Sequence, residues 1–432
     1  MKLWIRNGRV LDPASGLDAI ADVLTDDEGR IVAVGTDIEA SGAEEIDASR
    51  LIVAPGFIDI HVHLREPGFE HAETIETGSA AAAAGGFTTI CCMPNTAPVN
   101  DSATVTTYIV ERARRHAAVN VFPIGAITKG SAGSELAAIP SMVAAGAVAI
   151  SDDGRPVMNS RIMRRAMETA RALDIPVIDH CEDLNLSEGG DMHECLESLK
   201  LGLRGIPSAA EDVMVARDII LAELTGARYH VAHISTRNAV AMVAFAKSKG
   251  LAVSAETTPH HIALDTKCMP PYDSNYKMKP PLRSPEDAGA VVEGIVSGAV
   301  DVIATDHAPH AGDDKMQEFE KCPFGILGLE TALPIALEVL VHPGRVSLMR
   351  MVELFTTEPA KVIGFEGPTE RARLAPGLPA DITIFDPERR WRYDVNQSCS
   401  KSRNSPFNGR EFRGGPVATI VAGRPVWRVN GF

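Results

Sequence analysis

The stretch Pro55-Gly-Phe-Ile-Asp-Ile-His-Val-His-Leu-Arg-Glu-Pro67 decides how the rest of the chain is interpreted. Its apolar residues predict a short buried strand, bounded by Pro-Gly pairs. Because side chains two apart on a strand point to the same face, His61 and His63 can present two imidazoles to one metal ion, and Arg65 continues that face. A lone His-x-His pair is more often two half-buried histidines at a strand end, so the rest of the chain decides between these interpretations.

Composition describes an ordinary globular protein and restricts its partners. The 432 residues are 45% hydrophobic and 23% charged, which allows one large catalytic domain and one small domain. The net charge of -15, without a basic stripe, argues against a nucleic acid or an anionic membrane as partner. The net charge does not argue against a small anionic substrate, because such a substrate needs only a local basic site. Seven cysteines without a Cys-x-x-Cys motif, and no apolar signal segment at the N-terminus, predict a cytoplasmic protein with reduced thiols.

Both ends of the chain have the pattern of a small β domain. Short runs of alternating apolar and polar residues are separated by turn residues such as Asn7-Gly8 and Glu28-Gly29. We therefore predict one β-sandwich-like domain formed by residues 1–54 and 366–432. Its predicted strands cover residues 2–6, 9–11, 22–25, 30–34, 51–53, 380–385, 417–421 and 426–429.

Residues 55–365 alternate strand and helix patterns. Strands are predicted over residues 57–60, 88–92, 120–124, 148–151, 177–179, 229–232, 252–255 and 302–305. Helices are predicted over residues 73–84, 103–115, 134–145, 160–173, 209–225, 236–249 and 285–297. Eight strands separated by helices is the count of an α/β (β/α)8 TIM barrel.

An open doubly wound sheet is the alternative to a barrel. It is disfavoured because no Gly-x-Gly-x-x-Gly follows the first strand, and because the polar residues of interest follow strands across the whole middle. The segments 181–209 and 306–329 are polar and rich in glycine and proline. They are predicted to be loops over the mouth of the barrel.

Metal-ligand residue types follow five of the predicted strands, where each strand ends. The set consists of His61, His63, Asp152, Asp153, His180, His233 and Asp306. In a (β/α)8 barrel these positions all lie at the face that carries active sites. Four imidazoles with two carboxylates are more than one zinc ion needs, and they suit a pair of divalent ions bridged by a carboxylate. The ligand types are compatible with Zn, Co or Mn.

The other histidines near these strand ends have less direct interpretations. His260 and His261 follow the seventh strand and could border the site, although a role in supporting or packing around the site is the preferred interpretation. His307 is expected to orient its neighbour Asp306, and His310 lies in a loop from which it can reach a ligand. The remaining histidines are interpreted as structural.

Taken together, six motifs resemble one known family. They are His61-Val-His-Leu-Arg-Glu-Pro-Gly68, Met93-Pro-Asn-Thr96, Ser151-Asp-Asp-Gly154, His180-Cys-Glu182, Ala232-His-Ile-Ser235 and Thr305-Asp-His-Ala-Pro-His310. In this order, over nearly the whole chain, they resemble the dihydroorotases of the long bacterial type, within the metal-dependent amidohydrolase superfamily. The resemblance implies a (β/α)8 barrel with a small β domain built from both termini.

The resemblance also implies a metal site. The implied ligands are His61, His63, Asp153, His180, His233 and Asp306. Asp153 would bridge the two ions, and Asp306 would be both ligand and catalytic base. The implied cofactor is Zn²⁺, as one or two ions per subunit with two favoured. Hydantoinases, dihydropyrimidinases and allantoinases use a carboxylated lysine as the bridge, whereas the fourth strand here ends in two aspartates and no lysine.

The substrate-binding residues implied by the resemblance are Arg65, Asn95, Lys279, His310, Pro323 and Gly325. Arg65 discriminates among relatives, because dihydroorotate has a carboxylate that the neutral rings lack and a guanidinium fork suits it. The alternative for Arg65 is a surface salt bridge. Lys279 departs from the family, which often has asparagine there, so it either adds charge for an anionic ligand or loses that contact. The loop 310–321 is either a lid or an ordinary solvated loop.

The implied reaction is the reversible hydrolysis of dihydroorotate to N-carbamoyl-L-aspartate in pyrimidine synthesis, by a metal-activated hydroxide. One alternative is a related cyclic amidase of the allantoinase or hydantoinase type. Another is a non-catalytic homologue that scaffolds aspartate transcarbamoylase, which the complete ligand set disfavours, although an active enzyme could still have that partner. We expect a small-molecule substrate, a homo-oligomer, and neither nucleic acid nor membrane as partner.

Overall fold

The computed structural model describes residues 2–365 and 370–432, and it confirms the predicted α/β class. The strands are β1 (Leu3–Asp12), β2 (Leu17–Thr25), β3 (Ile31–Gly35), β4 (Glu44–Asp47), β5 (Ile52–Pro55), β6 (Phe57–Val62), β7 (Phe87–Cys92), β8 (Asn120–Pro123), β9 (Val177–Asp179), β10 (Met192–His193), β11 (Gly205–Ile206), β12 (Tyr229–Val231), β13 (Val253–Thr257), β14 (Val302–Ile303), β15 (Ile382–Arg392), β16 (Glu411–Val421) and β17 (Arg424–Arg428). The helices are α1 (Ile75–Gly85), α2 (Ala103–His116), α3 (Ile139–Ala144), α4 (Ser160–Ala172), α5 (Leu196–Leu201), α6 (Ala209–Thr225), α7 (Arg237–Ser248), α8 (Pro259–Ala263), α9 (Pro285–Ser297), α10 (Gly312–Lys315), α11 (Ala332–Ala336), α12 (Leu348–Phe355) and α13 (Thr357–Ile363).

Strands from both ends of the chain form one hydrogen-bonded sheet. Its order is β17-β16-β15-β5-β1-β2-β3, with β4 also paired to β1. β5 lies antiparallel to β15, so the two ends of the chain fold together. Alternating side chains supply this sheet with its own buried apolar cluster, which includes Leu3, Ile5, Ile382 and Ile420. The division into domains stays a prediction, and its C-terminal boundary at residue 366 lies outside the described residues.

The Asn7-Gly8 pair, expected as a turn, lies inside β1 instead. The first two predicted strands are therefore one strand, with an irregular register against β2. Asn7 adopts a φ of 61°, and its backbone N–H donates to Asp22 Oδ1 at 2.9 Å. Glycine is needed at position 8 because a Cβ there would lie 2.5 Å from the Val53 side chain. Position 8 therefore requires glycine because two strands approach each other closely there, and not because the chain turns.

Parallel strands occupy the middle of the molecule. β6, β7 and β8 form one sheet, and β9, β12, β13 and β14 form another, with every neighbouring pair parallel. Single parallel bridges join Gly125 to Ile150, Ile150 to Val177 and Val62 to His307. Because parallel strands run in one direction, their carboxyl ends meet at one edge.

The predicted fourth strand, residues 148–151, is a single bridge at Ile150 and not a regular strand. The Val148 N–H donates to Pro123 O at 3.1 Å, and the Ile150 N–H donates to Pro176 O at 3.2 Å. The Ile178 N–H donates to Ile150 O at 2.9 Å and the Ser151 N–H donates to Gly125 O at 2.9 Å, so the segment is hydrogen-bonded to the chain on both sides. The segment still lies between β8 and β9, where the prediction put it.

Several helix starts follow from capping side chains. Hydrogen bonds from the first-turn backbone to a side-chain oxygen start α1, α4, α7 and α9, at Thr74, Asn159, Thr236 and Ser284. The predicted helix 134–145 is shortened to α3. Leu136 is held in an antiparallel bridge with Thr128, and Pro140 lies in the first turn that follows.

The two long polar segments are partly folded. Residues 181–209 contain the β10–β11 pair and α5, so the prediction of loops is wrong for that part. In the segment 306–329, Lys315 is buried and donates to the carbonyls of Pro323 and Gly325 at 2.9 and 3.0 Å. This ammonium anchors α10 to the chain that follows it.

All seven cysteines are free thiols, including the neighbours Cys91 and Cys92. Within the described ranges, no helix combines the length and the apolar character needed to cross a bilayer.

Candidate metal centre

The central strands bring the six implied ligands to one place. The end of β6 carries two of them, the bridge at Ile150 precedes the third, and β9, β12 and β14 each precede one more. All six side chains are buried. They are His61, His63, Asp153, His180, His233 and Asp306. The convergence expected from the strand ends is therefore present in the structure.

The Asp153 carboxylate lies at the centre of this cluster. Its Oδ1 is 3.3 Å from His61 Nε2 and 3.6 Å from both His180 Nδ1 and His233 Nε2. Its Oδ2 is 3.5 Å from His63 Nε2. One carboxylate therefore faces four imidazoles, with its two oxygens directed to different rings.

Asp306 also lies close to His61 and His63, the two histidines at the end of β6. Its Oδ1 lies 2.9 Å from His63 Nε2 and 3.5 Å from His61 Nε2. Asp306 and His233 both have positive φ values, 46° and 32°, which non-glycine residues rarely adopt. Such backbone conformations persist where the surrounding structure holds them, and they concentrate at functional sites.

Three atoms of the cluster are buried without a hydrogen-bond partner among the described residues: His61 Nε2, Asp153 Oδ1 and His233 Nδ1. Leaving buried polar atoms unpaired costs free energy, so a missing partner is expected. Two overlapping sets, His61–His63–Asp306 and His61–Asp153–His233, each place three ligand atoms within 4.8 Å of one another. Nitrogen and carboxylate donors in this arrangement fit a divalent metal.

The two neighbouring aspartates of the Ser-Asp-Asp-Gly motif have different surroundings. Asp152 Oδ1 accepts the backbone N–H groups of Ile127 and Thr128 at 2.8 and 3.1 Å, and the Thr128 hydroxyl donates to its Oδ2. Its lone pairs are therefore already used in holding the loop after β8. Asp153 alone of the pair faces the histidines.

The carboxylates shift the pKa values of the rings around them. Burial would lower the pKa of His180, but the Asp153 and Glu182 carboxylates outweigh it and raise that pKa to about 10. Conversely, burial would raise the pKa of Asp306, but the hydrogen bond from His63 and the nearby His61 hold it below its ordinary range. The site therefore favours charged over neutral carboxylates.

Three histidines of the cluster each place one ring nitrogen beside an oxygen acceptor. His61 Nδ1 lies 2.5 Å from Glu256 Oε1, His63 Nδ1 lies 2.9 Å from Asn95 Oδ1, and His180 Nε2 lies 2.9 Å from Glu182 Oε2. A proton on these nitrogens leaves the opposite nitrogen of each ring unprotonated and able to bind a metal, although His180 Nδ1 lies 2.9 Å from His233 Nε2 in this structure. Carboxylate or amide partners of this kind orient metal-bound histidines.

Glu256 and Glu182 were not among the predicted site residues. Glu256 is fully buried in β13 and also contacts His230 Nε2 at 3.2 Å, so that histidine supports the site indirectly. A glutamate directly after a run of apolar strand residues is the signal that could have found Glu256. Glu182 lies inside the quoted His-Cys-Glu motif, where its spacing of two from His180 is the available signal.

Lys279 lies beside this shell of supporting carboxylates. Its ammonium donates to Glu182 Oε1 at 2.8 Å, and it stands 4.8 Å from the centre of the Phe324 ring. A cavity of about 570 Å³ is lined by both Lys279 and Phe324. Lys279 thus contacts Glu182, the carboxylate beside His180, and also lines an open space large enough for a small ligand.

Arg65 and His310 lie next to each other. Arg65 is half-buried, its Nε donates to Pro309 O at 3.1 Å, and its guanidinium lies 3.3 Å from His310 Nε2. Among the described residues no carboxylate forms an ion pair with Arg65, so it is not the surface salt bridge considered as the alternative. Burial lowers the pKa of Arg65 to about 10, with Asp306 acting in the opposite direction. A cation without an ionic partner suits an anionic ligand.

His310 is held neutral. Burial, followed by the charges of Arg65 and Lys315, lowers the pKa of His310 to about 3. Its Nε2 lies 2.8 Å from Phe324 O, a pure acceptor, so that nitrogen carries the proton. The Nδ1 of the same ring is then available to accept a hydrogen bond.

Asn95 contacts two members of the cluster. Besides the contact with His63, its Nδ2 donates to Asp153 Oδ2 at 3.4 Å. Pro323 and Gly325 lie in the same region, but their carbonyls accept from the buried Lys315. The Gly325 N–H donates to Lys277 O at 2.9 Å. The backbone groups expected to line the pocket are thus engaged within the protein.

Two further histidines have surroundings that bear on their predicted interpretation. His307 was expected to orient Asp306, but its Nε2 lies 3.4 Å from Glu73 Oε2 and its Nδ1 accepts from the Gly328 N–H. Both ring nitrogens of His307 are thus engaged with groups other than Asp306, whose own φ of 46° is not that of an extended strand. The buried Nε2 of His260 has no partner among the described residues, which is compatible with the interpretation that His260 borders the site.

Comparisons with known proteins identify the family of the chain. The family described as Dihydro-orotase-like matches residues 49–239. A dihydroorotase of Solibacter usitatus is 67% identical over 427 residues, which cover 99% of this chain and 98% of that protein. A dihydroorotase of Syntrophotalea carbinolica is 50% identical over 430 residues, which cover 100% of both chains.

Solved structures of other cyclic amidases are similar over nearly the whole chain. The dihydropyrimidinase of Brevibacillus agri has a TM-score of 0.86 at 26% identity, covering 99% of this chain and 95% of that one. The L-hydantoinase of Arthrobacter aurescens has a TM-score of 0.86 at 27% identity, covering 99% and 96%.

Proposed function

The chain belongs to the dihydroorotase family and is a metal-dependent cyclic amidohydrolase, and on this premise we propose which of its residues carry the reaction. Its substrate is a small molecule. The reaction is the reversible hydrolysis of dihydroorotate to N-carbamoyl-L-aspartate, a step of pyrimidine biosynthesis. The proposal assigns the metal to the six-residue cluster and the substrate carboxylate to Arg65.

One observation carries the assignment of the metal ligands. The Asp153 carboxylate faces four imidazoles, while its Oδ1, His61 Nε2 and His233 Nδ1 have no hydrogen-bond partner among the described residues. Packing alone does not account for unpaired buried donors and acceptors gathered at one point. The ligands in this proposal are His61, His63, Asp153, His180, His233 and Asp306, with Asp153 as the bridge.

The proposed cofactor is Zn²⁺, with two ions favoured over one. The mixture of imidazole and carboxylate donors supports this choice, and the two overlapping ligand sets support a pair of ions. When bound, the metal supplies Lewis-acid chemistry, which lowers the pKa of water and polarises the amide carbonyl.

Asp306 is the proposed catalytic base. Its carboxylate contacts His63 at 2.9 Å, and its lowered pKa keeps it deprotonated at neutral pH. In the hydrolytic direction it accepts the proton of the attacking water and delivers it to the ring nitrogen of the broken amide. In the synthetic direction it moves the same proton back.

Arg65, with its neighbour His310, is the proposed binding site for the substrate carboxylate. The guanidinium has no ionic partner in the described part of the chain, and the neutral His310 can accept a hydrogen bond from the substrate ring. Asn95 and Lys279 complete the proposed substrate contacts, and Pro323 and Gly325 stay predictions from the family resemblance, because their carbonyls accept from Lys315. Of these, Asn95 is supported by its contacts with His63 and Asp153.

We further propose that the two parallel sheets belong to one closed (β/α)8 barrel in residues 55–365. The bridge from Val62 to His307 supports closure, because it links the end of β14 back to β6. The two bridges at Ile150 support it as well, because they link β8 to β9. Residues 1–54 with 366–432 would form the small β domain, which the mixed terminal sheet supports.

A cytoplasmic homo-oligomer is the proposed assembly. The free cysteines favour a reducing compartment. Exposed apolar side chains on adjoining helices, Ile220 and Leu224 on α6 and Phe245 on α7, are 61 to 64% exposed and favour burial against another subunit. The family resemblance also suggests aspartate transcarbamoylase as a partner. An increase in size on mixing the two purified proteins would support this partnership.

A substrate comparison tests the proposed function. The purified protein is analysed for metal and then assayed with dihydroorotate, allantoin and hydantoin. We expect one or two zinc ions per subunit, turnover of dihydroorotate, and little turnover of the two neutral rings, because these lack the carboxylate that Arg65 would bind. Faster turnover of a neutral ring would favour the alternative cyclic amidase, to which the structural similarities also point.

A further inference from the structure

A second cavity lies at the terminal sheet. It measures about 340 Å³ and is lined by side chains of β15 and β17, by Pro416 of β16, and by the chain around residues 393–399. Its lining contains none of the residues assigned above to metal or substrate. A volume of this size lies within the range of small-ligand sites, about 300–1,000 Å³. The chemistry of its walls therefore indicates what it can hold.

Aromatic rings form one part of the wall. Trp391 and Trp427 both line the cavity and are half-buried, and Tyr393 stands 6.2 Å from Trp391 between ring centres. These are two of the three tryptophans in the chain. Partly exposed indole rings provide flat surfaces on which another ring can stack.

Guanidinium groups form the other part of the wall. Arg389 donates to Pro416 O at 2.8 Å, and Arg392 Nε donates to Gly409 O at 2.9 Å. Among the described residues neither arginine forms an ion pair with a carboxylate within 4.0 Å, although the chain has a net charge of -15. Arg428 does pair with Glu44, but its Nε is buried and has no partner in the described residues. The cavity thus carries positive charge that the protein leaves largely unbalanced.

The carboxylates in the lining do not cancel this charge. Asp394 accepts hydrogen bonds from the Asn396 N–H and from Gln397 Nε2 in its own turn. Glu330 Oε1 accepts the Cys399 N–H at 2.7 Å, and burial raises the pKa of Glu330 to about 7, which reduces its negative charge at neutral pH. An anion entering the cavity would therefore meet two guanidinium groups that have no carboxylate within 4.0 Å, with Asp394 as the carboxylate in the lining that keeps its charge.

We propose that this cavity binds a flat aromatic molecule that carries a phosphate, of the nucleoside monophosphate class. The ring stacks on Trp427, because Trp391 already lies against the Arg389 guanidinium at 5.4 Å and the Phe412 ring at 5.6 Å, and the phosphate oxygens accept hydrogen bonds from Arg389 and Arg392. Guanidinium forks suit phosphate oxygens in pairs, and stacking supplies the affinity that a bare anion lacks. A free nucleoside or inorganic phosphate would use only half of these contacts.

Tryptophan fluorescence of the intact, metal-loaded protein tests the proposal. The protein is titrated with AMP, and in separate arms with adenosine and with inorganic phosphate, each in the presence of saturating dihydroorotate to keep the active site filled. We expect saturable quenching by AMP, and affinities at least about tenfold weaker for adenosine and for phosphate. The double variant Arg389→Gln/Arg392→Gln should bind AMP at least about tenfold more weakly.

Control variants separate binding from folding. Arg392→Gln alone changes an exposed side chain, so it should fold normally and still weaken AMP binding. Arg114→Gln, on an arginine whose side chain is 72% exposed on α2, should leave AMP affinity unchanged. Unaltered turnover of dihydroorotate shows that each variant is folded. The proposal is overturned if AMP gives no saturable quenching at millimolar concentration, if folded Arg392→Gln binds like the parent, or if phosphate alone binds as tightly as AMP.

Discussion

The Asp59 carboxylate holds Thr305 at the end of β14. Its Oδ2 accepts the Thr305 hydroxyl at 2.6 Å, and its Oδ1 accepts the Thr305 N–H at 3.2 Å and the His61 N–H at 3.0 Å. Asp59 lies two residues before His61, and Thr305 directly precedes Asp306. One buried carboxylate therefore sets the spacing between two proposed metal ligands from distant parts of the chain.

Replacing Thr305 by valine should loosen this connection. Valine has nearly the size of threonine, but the fully buried Asp59 would lose the hydroxyl donor. An unsatisfied buried acceptor costs about 1–3 kcal/mol of folding free energy. We expect a lower melting temperature and a lower kcat, measured by calorimetry and by dihydroorotate turnover. Thr305→Ser keeps the hydroxyl and should stay close to the parent. If the valine and serine variants behaved alike, the hydrogen bond would not be what matters.

Asp306→Asn should abolish turnover while substrate binding largely survives. Asparagine keeps the shape of the side chain but cannot accept the proton of the attacking water. General-base catalysis contributes about 10²–10⁴-fold to rate, so kcat should fall by at least that factor. Calorimetric titration with dihydroorotate measures binding, and elemental analysis checks that metal is retained. Normal turnover in a metal-replete variant would remove Asp306 from its proposed role.

Glu182→Gln should weaken metal binding without touching a proposed ligand. Glutamine is a weaker acceptor for the His180 Nε2 proton, and it removes the ion pair with Lys279. Loss of such a supporting carboxylate lowers metal affinity about 10–100-fold. Competition with a chelator measures the affinity.

Lys279→Met separates the two effects of Glu182→Gln, which are a weaker hydrogen bond to His180 and the loss of the ion pair with Lys279. It removes the same ion pair but leaves the carboxylate on His180, so a smaller loss of metal affinity is expected. Equal losses in Glu182→Gln and Lys279→Met would mean that the ion pair, not the hydrogen bond to His180, supports the metal.

Arg65→Gln should act mainly on the recognition of the substrate carboxylate. A charge-assisted hydrogen bond is worth about 1.5–3 kcal/mol, so kcat/KM for dihydroorotate should fall about 10–100-fold. Turnover of hydantoin, which lacks the carboxylate, should change much less. Arg65→Lys keeps the charge but not the fork and should lie between parent and Arg65→Gln. An equal loss for both substrates would argue for a structural role.

Glu330 should make the stability of the protein depend on pH. Its folded-state pKa of about 7 lies above its ordinary value of 4.5, so between these values the folded state binds more protons than the unfolded state. The free energy of unfolding should therefore fall as pH rises from 4.5 through 7, by at most about 3 kcal/mol from this group.

The variant Glu330→Gln cannot ionise, yet it still accepts the Cys399 N–H. In urea unfolding of the metal-loaded protein at several pH values, its stability should fall less between pH 4.5 and 8 than that of the parent. Glu411→Gln, on an exposed glutamate of β16, should reproduce the pH dependence of the parent. A parental pH dependence in Glu330→Gln would assign the effect to another group.

Local sequence patterns accounted for much of the candidate site. Strand-forming residues followed directly by histidine or aspartate located His61, His63, His180, His233 and Asp306, and the structure brings these side chains together. Their roles as ligands stay predictions. Local patterns also placed the α/β alternation, because strand and helix periodicity are properties of neighbouring residues.

Local sequence patterns did not predict the contacts between distant segments of the chain. Sequence spacing does not distinguish Asp152 from Asp153; the structure does, because Thr128 and Ile127 occupy the lone pairs of Asp152. The side chain of His307 turned out to face Glu73, a partner more than two hundred residues away. In the same way Gly8 belongs to a strand because Val53 lies against it.

The sequence by itself determined which chemical groups stand at the strand ends, and thereby the family and the reaction. Only the tertiary structure decided which of those groups face one another and which buried atoms lack a partner. The physical reason is that side-chain direction and hydrogen-bond partnership depend on packing between segments far apart in the chain, whereas residue type and periodicity are local.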